Sequence, residues 1–152
     1  MEKVDLLIKD AGLRPTKARV AVLSIISDAK SALSHGEILK YLEGHGSFDR
    51  VTVYRVLDWL VEHQLIHKIL ADNRSWKFQS NIQTNDYKTA TQSSKNFING
   101  HAHAHLQCQH CGALICVHEF QANIPQQLIK QYQISTIEVN LKGICKQCQA
   151  DI

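Results

Sequence analysis

The chain of 152 residues is 44% hydrophobic and carries a formal charge of +3, from 17 Lys/Arg against 14 Asp/Glu. That length allows one ordinary domain or two small ones with a modest core, and no stretch approaches the ~18 consecutive apolar residues of a membrane span. The basic excess is spread along the chain, with 12 Lys/Arg against 10 Asp/Glu through residue 80 and 5 against 4 beyond it, so bulk charge does not announce a nucleic-acid binder.

Residues 1–66 read as helices. After Arg14-Pro15-Thr16, where the proline suits a first turn, Val20, Leu23 and Ile26 recur at helical spacing. Ser34-His35-Gly36-Glu37 has the pattern of a capping box, opening a helix with Ile38, Leu39 and Leu42 inward that stops near Gly44 and Gly46. A third run follows Asp49. It sets Val53, Val56, Leu57, Leu60 and Val61 on one face and leaves Tyr54, Arg55, Asp58 and Glu62 largely outside it. Two extended runs, Leu65–Leu70 and Ser75–Gln79, flank the turn-rich Ala71-Asp72-Asn73-Arg74. Three helices and a β-hairpin predict a winged helix-turn-helix over residues 1–80.

From Ser80 to Gly100 polar residues dominate, which predicts a hinge or linker over residues 81–100. Residues 101–152 then predict a small α/β domain, making the whole chain α+β. Its strands are expected at His105–Cys108, Ala113–His118 and Ile134–Leu141, the last from alternation and β-branched residues. A helix is expected over Ala122–Tyr132, with Ile124, Leu128 and Ile129 inward and Pro125 in its first turn. Such a unit has little core of its own, so a metal staple and a dimer partner both make physical sense.

Four of the five cysteines form Cys108-Gln-His-Cys111 and Cys145-Lys-Gln-Cys148. Each pair puts two thiolates on one tight turn, and two such turns supply a tetrahedral zinc site. The spacer of 33 residues, Gly112 to Ile144, exceeds that of a compact zinc ribbon, so the metal should staple a small domain rather than a hairpin. Two disulfides are the competing reading and would need an oxidising compartment. The charged start Met1-Glu2-Lys3-Val4-Asp5, with no apolar stretch after it, favours a cytoplasmic protein.

The run Arg50-Val51-Thr52-Val53-Tyr54-Arg55 opens the best candidate for a recognition helix. Its first amides can face a phosphate, Thr52 can add a hydroxyl contact, Arg55 can bond a guanine edge and Tyr54 can pack on a thymine methyl. A solvated helix face is the bland alternative.

Taken together, Leu13-Arg14-Pro15-Thr16-Lys17-Ala18-Arg19, Thr52-Val53-Tyr54-Arg55-Val56-Leu57, His101-Ala-His-Ala-His105-Leu-Gln-Cys108-Gln-His-Cys111-Gly112 and Cys145-Lys-Gln-Cys148 resemble the ferric uptake regulator family, in its order and spacing. The resemblance implies a homodimeric metal-sensing transcription factor, with a winged helix hinged to an α/β dimerisation domain. Tyr54 and Arg55 would then read bases in double-stranded DNA, while Thr52, Arg19 and Lys17 would hold phosphates. It also implies an AT-rich pseudo-palindromic operator near metal-import genes.

Nine histidines are the compositional anomaly, five of them between His101 and His118. A sensory site must be able to empty, so it should use fewer thiolates than the four-cysteine staple and span both domains. His67, His101 and Cys116, completed by His103, His105 or a water, would tie the wing to the dimerisation domain. Nitrogen plus thiolate favours zinc over the harder ferrous ion, giving two zinc ions per subunit. Family comparison sharpens this, because a glutamate ligand is common where this chain has Cys116. The family's second, oxygen-rich site is implied to be absent, its places held by Asn123, Asn140, Ala102 and Ala104. A further winged-domain histidine is replaced by Ala32, and Gln79 stands where a ligand is expected. His67 resembles the wing ligand of the zinc-responsive branch. The competing readings are an iron or manganese sensor, a zinc-dependent hydrolase, and a zinc-ribbon interaction module. Against the hydrolase, no HExxH occurs and the stretch from His101 to His118 has no carboxylate. Cys116 also fits a buried thiol or a redox sensor. His110 and His118 read as surface residues, and His45 and His63 as solvated.

Overall fold

Cap chemistry sets the helices of the N-terminal unit. The computed structural model describes residues 2–44, 46–81, 104–120, 123–134 and 137–150, and the chain divides into two units, Met1–Tyr87 and Lys88–Ile152. The expected hinge over 81–100 lies outside the described residues apart from Asn81. A first helix, α1 (Glu2–Asp10), precedes the three expected ones. Helix α2 (Lys17–Asp28) is capped by Thr16, whose hydroxyl accepts from the Arg19 amide at 3.3 Å. Pro15 therefore lies just ahead of the helix rather than in its first turn. The capping box of α3 (His35–Leu42) is formed: the Ser34 amide donates to Glu37 Oε2 at 2.7 Å and the Glu37 amide to Ser34 Oγ at 3.3 Å. Helix α4 (Arg50–Glu62) is capped by Asp49, which accepts from the Thr52 amide at 2.9 Å.

At its far end α4 closes with the Gln64 amide on the Val61 carbonyl and the Leu65 amide on the Leu60 carbonyl. This reverse turn puts Gln64 at φ +57, a conformation that glycine usually supplies. The chain then enters the wing, β2 (Ile66–Leu70) paired antiparallel with β3 (Trp76–Ser80). A two-residue strand, β1 (Leu33–Ser34), joins the outer side of β3, giving the order β1-β3-β2. It is too short to carry a periodicity and exists only through its pairing with Lys77 and Phe78.

Ile8, Leu23, Ile26, Ile38, Leu57 and Leu60 lie at the centre of one apolar cluster joining α1–α4 to the wing. Val61 reaches only its edge. No helix among the described residues is long and apolar enough to cross a membrane.

The second unit is a three-stranded sheet of order β5-β4-β6. Strand β4 (Ala104–Cys108) pairs antiparallel with β5 (Leu114–Val117) and parallel with β6 (Val139–Gly143). Parallel neighbours need a crossover, and the segment bearing α5 (Gln126–Tyr132) supplies it. This corrects two expectations. The helix begins at Gln126 with Pro125 outside it, and it buries no residue, with Leu128 43% exposed. The last strand starts at Val139 rather than Ile134, because register with β4, not alternation alone, decides where pairing begins. A short helix, α6 (Lys146–Ala150), closes the unit.

Candidate metal centres and nucleic-acid interface

Parallel pairing of β4 and β6 aligns Cys108 with Gly143, so both strands end at the same edge of the sheet. The first CxxC turn follows β4, with Gly112 at φ +74, and the second opens α6 two residues after β6. The four sulfurs of Cys108, Cys111, Cys145 and Cys148 consequently lie within 4.8 Å of one another. Cys111 and Cys145 sulfurs stand 3.8 Å apart, close to the ~3.8 Å that tetrahedral zinc with bonds of about 2.3 Å imposes. None of the five cysteines is bridged, and the four sulfurs converge on one point rather than forming two separate pairs, which favours the metal reading over two disulfides.

The backbone prepares this cluster for a cation. Amides of Cys111 and Cys145 lower the Cys108 thiol to about 6, and the Cys145 amide donates to its sulfur at 3.3 Å. Cys148 is pushed up to about 12, chiefly by hydrogen bonding with the Cys145 sulfur. Without a cation the sulfurs must share protons; a bound zinc ion would neutralise four thiolates and cross-link the turns.

A second constellation lies further along the same sheet. His105 and Cys116 are direct cross-strand partners, both buried, with ligand atoms within 4.8 Å. Burial pushes the Cys116 thiol up to about 12. A proton held that firmly makes a poor redox nucleophile, which argues against an oxidation sensor. Displacement by a thiophilic cation remains available to it. Of the other expected ligands, His101 and His103 lie outside the described residues; so does His45, which was read as solvated.

In the N-terminal unit His67 is buried on β2. Asn81 donates from Nδ2 to the Gln64 carbonyl at 2.6 Å, which turns its Oδ1 to the His67 ring, where it accepts from Nδ1. The tautomer so fixed puts the lone pair on Nε2, the arrangement usual for a metal-ligating histidine. Asn81 was not singled out from the sequence; only the register of the wing brings it to His67. Gln79, the cross-strand partner of His67, has a buried Oε1 without a hydrogen-bond partner.

The residues expected to meet DNA fall into two groups. Lys17 opens α2 and is exposed. Arg19 is held flat, its guanidinium 3.6 Å from the Trp59 ring and donating to the Arg14 carbonyl at 2.7 Å. Tyr54 and Arg55 are exposed on α4, as expected. The first-turn amides, however, are less open to phosphate than the sequence implied. Asp49 takes the Thr52 amide and also accepts from the Thr52 hydroxyl at 2.6 Å. Both bonds lower the Asp49 carboxyl below its ordinary value, so a negative charge already stands at this helix start.

Two histidines depart from expectation. His63, read as solvated, bonds the Trp59 carbonyl through Nδ1 at 2.8 Å and packs on the Trp59 ring. His35, not assigned a role, stacks on Tyr54. Local sequence gave no sign of that pair, because its two rings come from different helices. His110 and His118 are exposed, as read.

A sequence model of the Ferric uptake regulator family matches residues 10–88. The Ferric uptake regulation protein of Helicobacter pylori is 27% identical over 156 aligned residues, covering 98% of this chain and 91% of that protein. Among solved structures, a zinc uptake regulator complexed with zinc and DNA superposes with a TM-score of 0.68 at 22% identity, covering 99% of this chain and 93% of the other. The Vibrio cholerae ferric uptake regulator superposes with a TM-score of 0.59 at 23% identity, covering 93% and 98%. At these identities the structural likeness establishes the fold.

Proposed function

Since the chain belongs to the ferric uptake regulator family, whose members are metal-responsive transcription regulators rather than enzymes, we propose that it is a zinc-responsive repressor of metal-uptake genes. The observation that carries the choice of zinc is the buried His105–Cys116 pair, a thiol facing an imidazole outside the four-cysteine staple. Sulfur and nitrogen donors favour zinc over ferrous or manganous ions. His67, with Nε2 as its lone-pair nitrogen, is the donor assigned to the wing, and His101 or His103 completes the set. Each subunit then holds two zinc ions, one permanent at the cysteines and one regulatory.

In this reading the protein is a cytoplasmic homodimer, its second unit supplying the dimer contact. Helix α4 enters the major groove, with Tyr54 and Arg55 at base edges and Lys17 on phosphate, at an AT-rich pseudo-palindrome. A zinc uptake regulator has been solved with zinc and DNA, which supports the assignment. Regulatory zinc closes the hinge over 81–100 and pre-organises the two winged units for the half-sites. Moving the closed state from 1:99 to 99:1 takes about 5.5 kcal/mol of differential affinity. That is well inside the ~10–16 kcal/mol of a strong zinc site.

An iron-responsive regulator is the second reading, favoured by the name of the Helicobacter relative. Titrating the chelator-treated chain with zinc or ferrous ion, with retardation of a palindromic duplex read at each step, separates the two. Zinc is expected to promote binding at the lower free concentration. Cys116→Ser and His67→Ala are each expected to weaken zinc-dependent retardation tenfold or more while the four-cysteine zinc stays bound. Ferrous activation at lower free concentration would remove the zinc assignment, and unchanged retardation by both variants would remove the site.

A further inference from the structure

We propose that His35 is a positioning residue for DNA reading: its imidazole, stacked on Tyr54, holds the phenol ring in one place on the exposed side of α4, so that Tyr54 meets base edges already ordered. The proposal rests on the reading of α4 as the helix that contacts DNA.

The two rings are nearly parallel, 9° between planes, with centroids 3.6 Å apart. His35 is the first residue of α3, and the capping box on Ser34 and Glu37 fixes where that helix begins. The same imidazole is hydrogen-bonded to the backbone of Arg50, the first residue of α4. One side chain therefore ties together the starts of the two helices of the turn motif and lies flat against Tyr54. Its Nε2 is buried without a hydrogen-bond partner. An imidazole at a helix start could ordinarily turn that nitrogen to water, so the ring is held in the stack against a desolvation cost. Burial lowers the His35 pKa, and the Arg50 charge adds to this against the opposing backbone hydrogen bond. The ring is thus kept neutral, as an aromatic surface.

Half of Tyr54 remains exposed, so the stack restrains the side chain without covering it. An exposed tyrosine on a helix samples several rotamers, and immobilising it at an interface costs affinity. A stack formed before binding reduces that cost. It also favours the one placement that suits the correct base, so its effect should appear in discrimination at that base rather than in general attraction to DNA. General attraction is carried by phosphate contacts and is read from the salt dependence.

The test uses the full-length, zinc-loaded chain and a duplex enriched from a randomised pool by the wild type. His35→Ala is expected to weaken binding to that duplex about threefold to tenfold, the worth of an aromatic pair. Affinity for unrelated duplex and the salt slope should stay unchanged. Discrimination should fall only at the base pairs where Tyr54→Ala also loses it. The double variant should bind no more weakly than Tyr54→Ala alone, and His35→Phe should recover most of the loss. In the NMR spectrum of the free chain, the Tyr54 ring signals should lose their ring-current shift in His35→Ala and regain one in His35→Phe. Additive losses in the double variant, or Tyr54 signals indifferent to residue 35, would overturn the positioning role. If the wild type enriches no duplex, or Tyr54→Ala binds normally, the reading of α4 itself falls and takes the proposal with it.

Discussion

The two units are held together by different means. In the first, sixteen buried apolar side chains among the described residues form one cluster spanning four helices and the wing. In the second, one cluster among the described residues consists of Cys108, Cys145 and Cys148, with Ala113 and Ile115 packed against them, and Ala104, Leu114 and Cys116 are the other buried apolar side chains described. Apolar burial at ~25 cal/mol per Å² can sustain the first. It is far smaller in the described part of the second, where α5 buries nothing and Leu128 and Tyr132 stand open. A domain of that kind needs a cross-link inside it and a surface to cover it. Half of the buried apolar side chains described in the second unit are therefore cysteines of the four-sulfur cluster.

The contrast between the units should be largest at the four-cysteine site. Cys108→Ser should unfold the second unit, because a structural zinc site supplies ~10–16 kcal/mol and a small domain has only ~5–15 kcal/mol in all. The α4 and wing amides should keep their protection in hydrogen exchange; their loss along with the sheet would show that the units do not stand separately. The converse substitution is Leu57→Ala, at a fully buried position of the apolar cluster. It should cost about 2–5 kcal/mol in denaturant unfolding of the first unit and release no zinc from the second.

Smaller effects sharpen the contrast within the first unit. Gln64→Gly should stabilise it by roughly 0.5–1 kcal/mol, since the left-handed φ of +57 suits glycine better; a lowered thermal midpoint would contradict this. Acid should act weakly at Glu37. Burial there opposes ionisation, but hydrogen bonds with Ser34 and the charge of Lys77 prevail and hold the carboxyl below its ordinary value. A lowered folded-state pKa means stability that is fully present above the ordinary value near 4.5 and fades as pH falls through the lowered one. With the side chain 45% exposed and Lys77 at 3.5 Å, solvent screening leaves a few tenths of a kcal/mol. Glu37→Gln should flatten that part of the stability–pH curve.

What could be read in the sequence divides along the same line. Helix starts at Ser34 and Asp49 were legible because a cap and its helix are local, whereas Pro15 drew the start of α2 too early and hid Thr16 as its cap. The four-cysteine site was legible because spacing within each CxxC is local and the chemistry admits few alternatives. Strand β1 was not, because two residues become a strand only when Phe78 and Lys77 arrive beside them. The start of β6 was hidden for the same reason, since it follows from the parallel register with β4. Cys116 could be named as a ligand from its softness, yet its alignment with His105 is a fact of strand register. Asp49 was read as the start of a helix but not as the charge that occupies it, and Arg19 as a phosphate contact but not as a ring partner of Trp59.

The reverse turn after α4 also fixes a side chain of the wing. Gln64 presents its carbonyl to Asn81, and Asn81 presents its own oxygen to His67. Two hydrogen bonds thus run from the turn after α4 to the imidazole of the strand that follows, all within the first unit. The orientation of the His67 ring is thus set by the backbone that ends the helix carrying Tyr54 and Arg55.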